Sequence, residues 1–245
     1  MATFVLVHGA CHGGWCWKRV APLLRAAGHE AYTPTLTGLG ERVHRLTRDV
    51  GIDTHVEDVV SVLECEELRD VVLAGHSYGG MVITGVAERV PERIRHLVYL
   101  DALVPMDEER SVQELFLRHD PDRWACVEEQ FRAGDGWLLP VPTGEPLWGV
   151  TDPEDLRWLR AHATPHPART FLQRLAGDHA PARHLPRTCI RCPQTPGNTP
   201  PGPFTTGGER IRQAGGQYHE LAGGHDVMVT MPQELSALLT TAIST

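Results

Sequence analysis

Short runs of consecutive apolar residues alternate along the chain with stretches whose apolar positions recur every three to four residues. Runs of the first kind read as strands buried on both faces, and stretches of the second kind as helices packing on them. Phe4–Val7 predicts a first strand. A helix is expected over Trp15–Ala27, apolar at Trp17, Val20, Leu23 and Leu24 and stopped by Gly28. A short strand follows at Ala31–Thr33, then a helix at Asp53–Glu66 with Val56, Val59, Val60 and Leu63 on one face. Val71–Ala74 predicts a strand, Met81–Val90 a helix closed by Pro91, and Leu97–Leu100 another strand. This βαβα alternation is the signature of an α/β fold, a mostly parallel sheet with helices on both faces.

The rhythm then breaks. Residues 105–186 hold Trp124, Trp137, Trp148 and Trp158 together with Phe116, Phe131 and Phe171, and include helix-like pieces such as Ser111–His119 but no convincing strand. The expectation is a helical cap inserted into one domain spanning 1–245. The sheet resumes at Thr188–Arg191 and Tyr218–Leu221, and a final helix over Pro232–Ala242 opens on proline. Between them, Pro193 to Gly208 holds five prolines and four glycines, which predicts a long irregular loop. No internal repeat is visible.

Charge narrows the partners. With 23 basic and 31 acidic residues the formal net charge is −8, so the basic footprint required for nucleic acid or for an anionic membrane surface is missing. No apolar run approaches the roughly 18 residues of a membrane span. The amino terminus has no basic region ahead of its first apolar run and no cleavage site, so a cytoplasmic address is expected. Six cysteines in a chain with a core this large argue for thiols rather than a disulfide framework. Cys189-x-x-Cys192 has neither a second such pair nor histidines at ligand spacing, so no metal is expected there. A small-molecule ester is the expected partner, and a homodimer is the assembly compatible with the sequence.

The chemistry concentrates at Gly75-His76-Ser77-Tyr78-Gly79. It follows a buried strand and precedes a helix, the context of a G-x-S-x-G nucleophile elbow in which the chain turns sharply and exposes the serine hydroxyl. A serine nucleophile needs a general base. Of fourteen histidines, His225 is singled out because it follows the last strand, at the sheet edge that also carries Ser77. A tetrahedral oxyanion needs two donors. The Tyr78 N–H, directly after the nucleophile, is one, and the loop after the first strand offers the Ala10 N–H as the other. His8 and His12 are expected to pin that loop through their side chains.

The run Phe4-Val5-Leu6-Val7-His8-Gly9-Ala10-Cys11-His12-Gly13-Gly14-Trp15-Cys16-Trp17, followed by Leu23-Leu24-Arg25-Ala26-Ala27-Gly28-His29, resembles the α/β-hydrolase branch that holds plant methylesterases of the salicylate methylesterase type and hydroxynitrile lyases. Thr33-Pro34-Thr35-Leu36-Thr37-Gly38-Leu39-Gly40-Glu41-Arg42 resembles its bacterial members, including pyrethroid-hydrolase-like esterases. The resemblance covers residues 1–105 densely and the segment around His225. It implies an α/β-hydrolase fold, Ser77 as nucleophile, His225 as base, Ala10 and Tyr78 as oxyanion donors, and no cofactor.

Two departures stand out. Lyases resembling this chain carry lysine directly after the catalytic histidine and threonine at the position of Gly9; here Asp226 and a glycine argue against cyanohydrin cleavage. The family's triad acid lies in the loop after the Thr188–Arg191 strand, yet Cys192-Pro193-Gln194-Thr195-Pro196-Gly197-Asn198 contains no carboxylate. Asp101, ending the neighbouring strand, is the substitute expected to orient His225. Asn198 is the neutral alternative, Asp226 sits too close in sequence to His225, and Thr195 is expected to matter little. The function expected is a serine esterase acting through an acyl-enzyme on an ester with an apolar or aromatic acyl group. The alternatives are a lyase or cyclase on the same fold, or a binding protein without turnover.

Overall fold

The computed structural model describes residues 1–105, 108–195 and 202–242. Six strands form one sheet: β1 (Thr3–Val7), β2 (Glu30–Tyr32), β3 (Val71–His76), β4 (Ile94–Leu100), β5 (Arg187–Arg191) and β6 (Gln217–Glu220), in the order β2-β1-β3-β4-β5-β6. Every neighbouring pair is parallel. The central strands are covered on both faces, which is why their sequences are unbroken apolar runs; all of β3 is buried. Helices α1 (Ala21–Ala26), α2 (Ile52–Cys65) and α3 (Gly79–Arg89) connect the first four strands.

Two apolar cores result. Val56, Val59, Val60 and Leu63 of α2 and the apolar side of α3 pack on one face with Val5, Val7, Leu73 and Leu97 of the strands. On the other face lie Trp17, Val20 and Leu24 with Phe4, Leu6, Val72 and Val98. Side chains of one strand thus alternate between the two cores, the period of two that a strand imposes.

Between β4 and β5 run α4 (Val112–His119), α5 (Pro121–Ala133) and α6 (Pro153–His162), with a short antiparallel ribbon pairing Leu138–Leu139 to His166–Pro167. That ribbon is a strand the sequence does not announce, since two residues carry no periodicity. Ser111 and Asp120 cap α4 and α5 by accepting from the backbone N–H of Glu114 and Arg123.

Two expectations are corrected. The helix expected at Trp15–Ala27 is a 3₁₀ turn at Gly14–Trp17 followed by α1, which starts at Ala21 because Pro22 is tolerated only in a first turn. The Pro/Gly-rich stretch is not all loop. Its end folds as α7 (Pro203–Gln213), opened by Gly202 and Pro203, with the Gly202 N–H donating to Thr205 Oγ1 at 3.0 Å. Gly207 and Gly208 within α7 have a packing reason. A Cβ on Gly207 would lie 2.4 Å from Val104 Cβ, and one on Gly208 2.7 Å from Cys189 Sγ. The helix therefore rests directly on β5. The chain closes with α8 (Pro232–Thr241).

Candidate active site

At the carboxyl end of β3 the backbone turns into α3 through Ser77, whose φ of +54° is left-handed. A non-glycine residue held there is strained, and the strain is supported by the hydrogen bonds around it. Ser77 N–H donates to Leu100 O at 3.1 Å, and its carbonyl accepts from Leu103 and Gly80 at 3.0 and 3.1 Å. The two glycines of the motif are required by close approach: a Cβ on Gly75 would meet Gly79 O at 2.5 Å, and one on Gly79 would meet Val7 O and His8 O at 2.8 Å.

Asp101 follows β4, also with positive φ (+40°). Its buried carboxylate accepts three hydrogen bonds. Oδ2 accepts from His225 Nδ1 at 2.6 Å and from Thr195 Oγ1 at 2.6 Å, while Oδ1 accepts from Cys192 N–H at 3.1 Å. The carboxylate thus reaches from the end of β4 into the loop after β5, where the sequence lacks one. With Nδ1–H spent on Asp101, Nε2 is the nitrogen of His225 left to exchange a proton. Thr195, expected to be a bystander, instead shares an oxygen with the histidine. Asn198 lies outside the described residues. Asp226 points elsewhere, its Oδ2 3.0 Å from His12 Nε2.

The loop after β1 is fixed by histidines. His8 donates from Nδ1 to Gly9 O (2.9 Å) and accepts the Leu36 N–H at Nε2 (3.0 Å). Burial drives its pKa down to about 3, so it works as a neutral ring. His12 is the opposite case. Burial opposes its charge, but the Asp226 carboxylate beside it outweighs burial and raises its pKa. His12 also bonds Ala10 O at 2.7 Å and lies between Trp15 and Trp148. The His12–Asp226 pair thereby ties the loop carrying Ala10 to the loop carrying His225. His166 adds a third tether: Thr170 Oγ1 accepts from its Nε2 (2.8 Å), and Cys11 N–H donates to its Nδ1 (3.4 Å). Among the described residues, neither the Ala10 nor the Tyr78 N–H donates to another protein group.

Two contributors escape sequence reasoning. His76, the variable residue before Ser77, donates from Nε2 to His225 O at 3.0 Å; burial and neighbouring His225 hold its pKa well below the usual value, so it stays neutral. Its place inside the motif is its only signal. Tyr78 donates its hydroxyl to His55 Nδ1 at 3.0 Å, fixing the residue directly after Ser77.

Ser77, Tyr78, Ala10, Thr195 and His225 line one cavity of about 370 Å³, walled by Leu103, Phe116, Val127, Trp148, Phe171 and Phe204. Such a cleft suits a small, largely apolar molecule. Cys189 and Cys192 stand apart from it as buried thiols whose pKa values burial raises, that of Cys189 to about 12. Among the described residues no helix is long and apolar enough to cross a membrane.

Comparison with known proteins bears on the fold and the family. The family described as "Alpha/beta hydrolase family" matches residues 4–238. The "Carbendazim hydrolyzing esterase" of Nocardioides sp. (strain SG-4G) is 40% identical over 247 residues, 98% of each chain. "Methyl jasmonate esterase 1" of Vitis vinifera is 37% identical over 165 residues, 62% of each chain. Among solved structures, an extracellular α/β-hydrolase from a Paenibacillus species, described as sharing homology with tobacco salicylic acid binding protein 2, superposes with a TM-score of 0.84 at 26% identity over 99% of each chain. Fold, motif and relatives agree: the chain belongs to the alpha/beta hydrolase family.

Proposed function

We infer that this chain is a carboxylic ester hydrolase working through a serine acyl-enzyme. The observation that carries the mechanism is the Asp101–His225 contact of 2.6 Å in the cavity that Ser77 lines. Ser77 Oγ attacks the ester carbonyl carbon as His225 Nε2 takes its proton. The carbonyl electron pair moves onto oxygen, and the oxyanion is held by the N–H groups of Ala10 and Tyr78, the latter at the start of α3. Collapse breaks the bond to the alkoxy oxygen, which leaves with the proton from His225. Water, deprotonated by the same nitrogen, then releases the acid and restores Ser77. Asp101 holds the imidazole in the tautomer this requires and stabilises the imidazolium.

Residues 105–186 act in this reading as a cap within a single domain, supplying Phe116, Val127, Trp148 and Phe171 to the cavity wall. Because relatives are named for methyl esters, a methyl ester of an apolar acid is the substrate class to test first. Six unpaired thiols suit a reducing compartment, the basis for placing the chain in the cytoplasm.

Hydrolysis of p-nitrophenyl acetate, with labelling by a fluorophosphonate mapped to Ser77, tests the mechanism. Ser77→Ala and His225→Ala should each lower kcat by about 10³-fold or more, because such residues act as a unit. Retention of more than about a few per cent of the wild-type rate by either variant would contradict an acyl-enzyme on Ser77, given that scale of loss.

A further inference from the structure

The loop that carries Ala10 is gripped by the cap. Cys11, the next residue, is buried with a φ of +66°, a left-handed conformation that a non-glycine residue keeps only where its surroundings enforce it. One short stretch of the cap takes both of its backbone polar groups. Thr164 N–H donates to Cys11 O at 3.0 Å, and Cys11 N–H donates to His166 Nδ1 at 3.4 Å. Thr164 is tied down in turn, its Oγ1 accepting from Gly40 N–H at 3.1 Å. His166 stands between Pro165 and Pro167, each with its φ fixed by the ring, and pairs with Leu139 in the antiparallel ribbon.

The neighbours of His166 decide its tautomer. Thr170 Oγ1 spends its proton on Pro167 O at 2.7 Å, so it accepts from the imidazole, and Nε2, 2.8 Å away, is the protonated nitrogen. Nδ1 thereby keeps the lone pair that Cys11 N–H needs. Burial, with His55 nearby, holds the pKa well below the usual value, so the ring stays neutral. The same ring meets that of Tyr78 edge-on at 4.8 Å. One buried imidazole of the cap thus touches the residue after Ala10 and the side chain of Tyr78, yet it is not among the described residues that line the cavity.

We propose that His166 is a positioning residue of the oxyanion hole: from the cap it fixes the backbone that aims the Ala10 N–H and backs the ring of Tyr78. The proposal rests on the ester-hydrolase reading above and deepens it, since the cap then shares in catalysis besides walling the pocket. His12 Nδ1 holds Ala10 O at 2.7 Å, so the Ala10–Cys11 peptide plane is pinned at its carbonyl by one histidine and at its N–H by another. Freeing the N–H end lets Cys11 relax toward negative φ, which turns that plane and carries Ala10 with it. A donor displaced by about 1 Å costs about 100-fold in rate. The loss falls on the transition state, which carries the oxyanion, and not on ground-state binding.

The experiment compares H166L, H166N and H166Q in p-nitrophenyl acetate turnover, with a thermal melt of each. Asparagine puts its amide oxygen near the place of Nδ1, whereas glutamine reaches the place of Nε2. H166L should lower kcat by about 10- to 100-fold with KM held within about twofold. H166N should recover most of that loss and H166Q little of it. Affinity for 1,1,1-trifluoro-2-butanone, whose carbonyl takes up Ser77 Oγ and becomes an oxyanion, should fall in step with kcat/KM across the three variants. An H166L that melts earlier but keeps its kcat overturns the proposal, because His166 would then only support the fold. So does an H166N no better than H166Q, a comparison that still decides should H166L fail to fold. If wild type does not hydrolyse p-nitrophenyl acetate, the ester-hydrolase reading fails instead, a result distinct from these.

Discussion

Asp101 stands directly after β4, where the sequence expects the carboxylate that meets His225. It presents one carboxylate oxygen to both His225 and Thr195. Asp101→Asn keeps the size but offers an amide where an anion stood, favouring the wrong imidazole tautomer; kcat on p-nitrophenyl acetate should fall by about 10⁴-fold, as in a serine protease. Thr195→Val removes a hydrogen bond to the charged group while keeping its shape. It should cost about ten- to a hundredfold, and Thr195→Ser should recover most of that, because serine restores the hydroxyl. A silent Thr195→Val would mean that the hydroxyl only covers the carboxylate. That Ser77, His225, Ala10 and Tyr78 come to one cavity is legible in the sequence because the elbow and its neighbours occupy fixed places relative to strands. The contact of Thr195 is not, since it depends on a carboxylate 94 positions away. The same holds for His12, which finds Asp226 across 214 positions. Local pattern marks the elbow; side-chain pairing across the fold leaves no local trace.

At the element scale the central strands β1, β3 and β4 are readable because burial on both faces writes itself as continuous apolar runs, while α7 is hidden by its composition. Gly202 and Pro203 at a helix start, and Gly207 and Gly208 inside one, look the same in sequence as a loop. Their meaning lies in the contact with β5 and Val104. Here two effects compete for Gly207→Ala. Helix propensity favours alanine by about 1 kcal/mol. Against it, the new Cβ would sit 2.4 Å from Val104 Cβ, and inserting a methyl into packed structure costs about 1–3 kcal/mol. Because Val104 is itself buried and cannot swing clear, overpacking should win. Gly207→Ala should therefore lower Tm in a thermal melt, whereas the same change at Gly215, with φ of +84° and open space around it, tests backbone strain alone. A higher Tm for Gly207→Ala would mean that α7 can lift off the sheet at little cost. That matters for the site, since Phe204, at the start of the same helix, is the ring that meets His225 edge-on.

For the whole molecule, the governing fact is a shell of buried histidines around the site, which the sequence shows only as an unusual count. His8, His55, His76 and His166 all have pKa values lowered, burial being the largest cause in each, to about 3 for His8 and about 4 for His55. In the unfolded chain each takes up its proton near pH 6.5. A lowered folded pKa means that the unfolded state binds more protons below that value. The stability these neutral rings permit is thus complete above about pH 6.5 and is lost as pH falls toward the folded values, by at most about 1.4 kcal/mol per pH unit for each ring. His12 runs the other way. Its pKa is raised by Asp226 in spite of burial, so its contribution is complete below about pH 6.5 and fades as pH rises through its folded value. His96, away from the site, is lowered by burial as well, so five histidines against one decide the sign. Urea unfolding followed by tryptophan fluorescence should give a midpoint that drops steadily from pH 7 to pH 5. A midpoint that stays level or rises over that interval would mean that the rings accept protons in the folded state. His12→Gln sharpens the test by removing the one opposing group: its midpoint should fall with pH more steeply than that of wild type. Since all four rings of the shell contact the loop after β1 or the His225 loop directly or support Tyr78, acid should loosen the site together with the fold, and loss of esterase activity on acidification should track the fluorescence change.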